Sequence, residues 1–238
     1  MDVNKARAIV FDLDGTLIDT APDLRAMLNQ VLVGMARREL TLEEVRRMIG
    51  DGTPAMMERA LAATGGITDL DRAHRKLMQI YEAAPPNLSR LYPGVETTLR
   101  LLRDSGANLG ICTNKPQTAT LTVLEAFNIA HCFEAVVGGD MVPFRKPDRR
   151  HLLGVIQQLN ASTSEAVMIG DSENDYAAAR STGVPVILMR YGYLRVPPER
   201  LTPDIWLDDF AAIPRALARL VSSDSGTTRS TDAPGPGQ

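Results

Sequence analysis

The sequence predicts an α/β fold, a doubly wound parallel sheet carrying an inserted α-helical segment. Three observations lead there. Short apolar runs alternate with stretches of helical periodicity, the pattern of a parallel sheet covered by helices. Each apolar run is followed at once by Asp, Thr, Asn or Gly. Between about residues 18 and 88 the alternation stops and only helical pattern remains.

Taken in order, the first strand is Ala8–Phe11, ending in Asp12-Leu13-Asp14-Gly15-Thr16. Alternation places both aspartates on one face, where carboxylates cannot be buried unpaired. The stretch 18–88 is rich in Ala, Leu, Met and Arg and ends near Pro85-Pro86. It reads as a helical domain inserted after the first strand. Further strands are Asn108–Cys112, Ala135–Val137, Ala166–Ile169 and Pro185–Met189. Between them run helical stripes: Val95, Leu99 and Leu102; Leu121, Leu124 and Phe127; Leu152, Val155, Ile156 and Leu159. Such stripes face a core. The α/β core is therefore assigned to 1–17 and 89–221, the helical domain to 18–88. Residues 222–238, rich in Ser, Thr, Asp, Gly and Pro, read as a disordered tail.

The bulk numbers narrow the function classes. A formal net charge of −3 gives no global pull toward nucleic acid or anionic membrane. Cys112 and Cys132 form no metal-type cluster, and a reducing compartment fits them best. The first residues carry no apolar leader, so a soluble, cytoplasmic protein is the expectation. His74, His131 and His151 stand apart, without metal spacing. The sequence is compatible with a monomer or a homodimer.

Polar residues follow the strands in turn. Asp12 and Asp14 come first, then Thr113-Asn114-Lys115-Pro116, then Arg145-Lys146-Pro147, then Gly170-Asp171-Ser172-Glu173-Asn174-Asp175. Ligands in open α/β sheets bind at the carboxyl ends of strands. Oxygen donors without His or Cys suit a hard cation, magnesium above all. Such an ion beside a lysine and a hydroxyl makes a place for a phosphoryl group.

These four segments, in this order and spacing from about Ala8 to Leu188, resemble the motifs of the haloacid dehalogenase superfamily of phosphohydrolases. The finer resemblance is to its phosphoglycolate phosphatase branch, through Ile49-Gly50-Asp51-Gly52, Glu58-Arg59-Ala60-Leu61 and Leu91-Tyr92-Pro93-Gly94-Val95. The resemblance implies a Mg2+-dependent phosphomonoester hydrolase acting on a small phosphorylated metabolite, 2-phosphoglycolate first. Asp12 would be the nucleophile, forming an aspartyl-phosphate, and Asp14 the general acid and base. Thr113 and Lys146 complete the catalytic set. Leu13, Gly15, Thr113, Asn114 and Lys146 would bind the phosphoryl group. Asp12, Asp14, Asp171 and Asp175 would hold the metal, Asp14 through its carbonyl and Asp175 directly or from behind. The helical insert resembles the family's small cap, with Gly50, Asp51 and Gly52 reaching the substrate and Arg46 and Arg47 as nearby candidates for its carboxylate. One departure stands out: Asp148-Arg149 follows Lys146-Pro147 where the family commonly has a second proline, which loosens that loop. Other small esters, pyrophosphate, a sugar-phosphate mutase and a catalytically silent binding protein are the competing expectations.

Overall fold

A computed structural model of the chain describes residues 7–83 and 85–224. Six parallel strands form one sheet: β1 (Ala8–Phe11), β4 (Asn108–Cys112), β5 (Ala135–Val137), β6 (Ala166–Gly170), β7 (Val186–Met189) and β8 (Ile205–Leu207). The order across the sheet is β5-β4-β1-β6-β7-β8. β1 is thus central, with Phe11 opposite Ile111 on one side and Ile169 on the other. The chain first builds outward through β4 to β5, then returns to β1's other flank for β6. That reversal opens a crevice at the carboxyl end of β1.

Alternation along the strands feeds two cores. Ile9, Phe11, Leu109, Ile111, Val167 and Ile169 face one side, against α5 (Val95–Asp104), α6 (Gln117–Ala126) and α9 (Ile213–Asp224). Ala8, Val10, Cys112, Met168 and Val186 face the other, against α7 (Arg149–Gln158) and α8 (Glu173–Thr182). In the second stripe, Leu124 is fully buried while Leu121 is exposed, Val123 taking the inward place.

The insert holds α1 (Ala21–Gly34), α2 (Leu42–Arg46), α3 (Thr53–Ala63) and α4 (Leu70–Ala83). It packs a third apolar cluster of its own around Leu28, Leu32, Met57, Leu61 and Leu77. In α4, Ala73, Leu77 and Tyr81 recur every fourth residue and are buried, the spacing of one helical face. Two corrections to the sequence reading belong here. The reading found no strand between 18 and 88, yet β2 (Ile18–Asp19) pairs antiparallel with β3 (Arg90–Leu91). The last helix also continues to Asp224, so the expected tail at 222 begins at least three residues late; 225–238 lie outside the described residues. Buried Asp23 fastens this neck: its carboxylate accepts from the amides of Asn87, Leu88 and Ser89 and from the Ser89 hydroxyl. Burial raises its pKa, but those four donors outweigh it and hold the carboxyl below its usual range.

Candidate active site

The carboxyl ends of β1, β4 and β6 and the loop after β5 converge. Asp12 follows β1, its amide donating to Ile169 O at 2.9 Å. Lys146, from the loop after β5, lies with its Nζ 3.0 Å from Asp12 Oδ1 and 2.6 Å from Asp175 Oδ1. The Lys146 side chain is 2% exposed. Asp171 follows β6, accepting from Thr16 Oγ1 at 2.7 Å and from the Tyr193 amide at 2.6 Å. Carboxylate oxygens of Asp12, Asp171 and Asp175 lie within 4.8 Å of one another.

Asp14 points elsewhere. Its carboxylate accepts from Lys115 Nζ at 2.9 and 3.2 Å and from Thr20 Oγ1 at 2.7 Å. The side chain of Asp14 is thus apart from the three-carboxylate cluster, as suits a residue expected to reach a metal through its carbonyl. Thr113 and Asn114 are buried and line the cleft together with Asp12 and Asp14. The cleft is small, about 400 Å³, and α1, α3 and the loop 49–52 close it from the insert side.

The family model for Haloacid dehalogenase-like hydrolase matches residues 9–189. The chain belongs to this family. It is 40% identical over 225 residues to a phosphoglycolate phosphatase of Caulobacter vibrioides, covering 93% of this chain and 94% of the relative. A phosphoglycolate phosphatase of Agrobacterium fabrum is 39% identical over 217 residues, 90% of this chain and 93% of that one. A crystal structure of a predicted phosphoglycolate phosphatase from Haemophilus somnus superposes with a TM-score of 0.85 at 32% identity, covering 90% of this chain and 98% of that one. The protein is therefore a phosphoric monoester hydrolase of the haloacid dehalogenase-like family.

Electrostatics of this hydrolase's site follow from crowding. Burial pushes the Asp12 carboxyl up to about 7; Lys146 opposes the rise, and Asp175 and Asp14 add to it. Burial, with Asp175 and Asp12 as like charges, raises Asp171 as well. Asp12 Oδ1 is buried and meets the Lys146 ammonium at 3.0 Å. Three carboxylates against one ammonium are a donor set that fits a hard divalent cation.

Asp175 is the best satisfied of the three. Its Oδ2 accepts from the amides of Asp171 and Ser172 and from Ser172 Oγ, capping α8, while Oδ1 holds Lys146. Gly15 has φ +89°, and a Cβ there would stand 2.3 Å from Asp171 Oδ2. Its own amide donates to Ile18 O at 2.9 Å, so Gly15 serves the site by shaping the turn. Leu13 sends its side chain into the core and its carbonyl to the amides of Thr16, Leu17 and Ile18.

The insert loop does reach the site. Gly50 and Gly52 line the cleft, and Gly50 O accepts from Asn114 Nδ2 at 2.8 Å and Asn174 Nδ2 at 3.1 Å. Asp51 does not line it. Arg59, Arg195 and Asn174 clamp its carboxylate; burial opposes, but these donors hold it well below the usual carboxylate range. Arg46 pairs with Asp19 and Arg47 with Glu43, both on the surface. Asp148 caps α7 through the Arg150 amide at 2.9 Å, so the loop lacking the second proline still delivers Lys146. Sequence reasoning missed Lys115, Arg195 and Tyr193. Lys115 follows Asn114 in the second motif and was visible; the other two sit after β7, where no motif signals them.

Proposed function

We propose that the chain hydrolyses 2-phosphoglycolate to glycolate and phosphate in a Mg2+-dependent reaction through an aspartyl-phosphate. The observation that carries this is the convergence of Asp12, Lys146 and Asp171 at the end of β1, beside a small cleft, in a chain 40% identical to phosphoglycolate phosphatases over nearly its whole length. A carboxylate oxygen of Asp12 attacks phosphorus in line, and the bond to the leaving oxygen breaks. Asp14, standing two residues on at the cleft wall, gives that oxygen its proton. Asp14 then takes a proton from water as the water attacks the aspartyl-phosphate, releasing phosphate and restoring Asp12. Lys146 offsets charge on Asp12 and the phosphoryl oxygens, while Thr113 and Asn114 hold those oxygens in place. Asp12, Asp171 and the Asp14 carbonyl would hold Mg2+, with Asp175 behind them fixing Lys146. The ion, when bound, neutralises the phosphoryl oxygens and the crowded carboxylates.

The test is kcat/KM with Mg2+ across 2-phosphoglycolate, sugar phosphates, nucleotides, pyrophosphate and an aryl phosphate. Preference for 2-phosphoglycolate of about two orders of magnitude, near 3 kcal/mol in the transition state, is the expected result. A flat profile overturns the substrate and leaves the chemistry.

A further inference from the structure

One cation lines the cleft among the described residues, and it is not the one next to the nucleophile. Lys146 is engaged by Asp12 and Asp175 behind the reaction centre. Arg59 and Arg195 are engaged by Asp51, and Arg46 by Asp19. Lys115 lines the cleft itself, while Arg145 stands outside it, its guanidinium beside Gly52 and its Nε donating to Gly139 O. The Lys115 side chain is 2% exposed, and its ammonium stands 5.0 Å from the centroid of the Tyr81 ring.

We propose that Lys115, backed by Tyr81, determines specificity by presenting its ammonium to a negatively charged group on the leaving alcohol. The inference rests on the phosphatase reading of this same site and names which side chain selects the acid. Burying an ammonium costs several kcal/mol unless it is paired. Without substrate, Asp14 is the partner, at 2.9 Å. Asp14 holds the ammonium at 2.9 and 3.2 Å with the Tyr81 ring beside it, so a substrate anion binds by taking over one of the Asp14 contacts. The surroundings sharpen the selection. Leu24, Ile49, Met56 and Tyr81 make the rest of the leaving-group side apolar. A carboxylate placed there meets Lys115 as the cation lining the cleft, with the Thr53 hydroxyl and the backbone at Gly50 and Gly52 as neutral polar groups. Lys115, Leu24 and Tyr81 also line a second small cavity adjoining the first, so space for a leaving group continues from Asp14 past the ammonium. Thr113 and Asn114, on the same loop, stand on the phosphoryl side. One short turn of chain therefore addresses both ends of a phosphorylated small acid.

The experiment compares 2-phosphoglycolate with 2-hydroxyethyl phosphate, which replaces the carboxylate by a neutral group. Wild type is expected to favour the acid by about 100-fold in kcat/KM, and Lys115→Gln to reduce that ratio below about 5-fold. Lys115→Arg restores part of the ratio. Calorimetric titration in an Asp12→Asn background reads binding without turnover, with Lys115→Gln weakening 2-phosphoglycolate about 10-fold or more and the neutral ester far less. Where the single variant does not fold, Asp14→Asn/Lys115→Gln leaves no buried charge unpaired and carries the same binding comparison. Equal loss on both esters means that Lys115 only positions Asp14; this overturns the inference and leaves the substrate reading standing. No preference in wild type overturns the substrate reading itself.

Discussion

At the end of β1, each residue is constrained by a neighbour distant in sequence. Asp12 faces Lys146 at 3.0 Å, and Gly15 lies under Asp171 with no room for a methyl group. Asp12→Asn is expected to lower kcat by at least about 10⁴-fold, since no other carboxylate occupies the attacking position; a discontinuous phosphate-release assay checks it. Gly15→Ala must place a side chain at φ +89° and against Asp171. It is expected to cost roughly 2 kcal/mol or more in urea unfolding and to abolish turnover. At this scale most of the core constellation was legible, because Asp12, Thr113, Lys146 and Asp171 each end or closely follow a recognisable apolar run. The partner of Asp14 was not. Lys115 is 101 residues away, and only folding reveals which carboxylate a lysine meets.

Among the elements, the decisive contact is between the insert loop and the core. Asp51, between α2 and α3, is held by Arg195 from the loop after β7, and Arg195 is held in turn by Glu173 at the start of α8. This ion-pair chain docks the cleft's roof onto the sheet's loops. Arg195→Met is expected to raise KM for 2-phosphoglycolate about 10-fold and to expose the 49–52 loop to protease, leaving turnover of a small aryl phosphate less affected. Steady-state kinetics and limited proteolysis read the two effects. The loop's reach was legible from Gly50-Asp51-Gly52; the job of its aspartate was not, because Arg195 lies 144 residues on. The short strands β2, β3 and β8 escaped for another reason. Two or three residues carry too little alternation to distinguish a strand from a turn.

For the whole molecule, buried groups pull stability in opposite directions between about pH 4 and 7, with Asp171 raised in the same sense as Asp12. Asp12, raised to about 7 from 3.8, keeps a proton in the folded state that the unfolded chain releases. Stability therefore falls as pH rises through that window. His151 is lowered to about 4 from 6.5, by burial first and by Lys146. The unfolded chain binds the proton sooner, so stability present above 6.5 is lost as pH falls toward 4, by roughly 2–3 kcal/mol. Urea unfolding at pH 4.5 and 7 is expected to show a smaller acid loss in His151→Gln than in the parent. In metal-free protein, Asp12→Asn removes part of the opposite slope, Asp171 keeping the rest, and its melting temperature at pH 7.5 is expected to exceed the parent's. Mg2+ stabilises the parent, by about 2.7 kcal/mol at a hundredfold excess over Kd, and stabilises Asp12→Asn less.

The antiparallel pairing of Ile18 with Leu91 and of Asp19 with Arg90 has a genetic consequence. Adjacent strands run about 5 Å apart, so the polypeptide departs from the sheet and rejoins it at nearly one point. To the strands on either side, seventy intervening residues amount to a single hairpin bend. Codons could be added to or removed from that bend without moving β1 or β4. Diversification of the insert is thereby uncoupled from the strands that carry the chemistry.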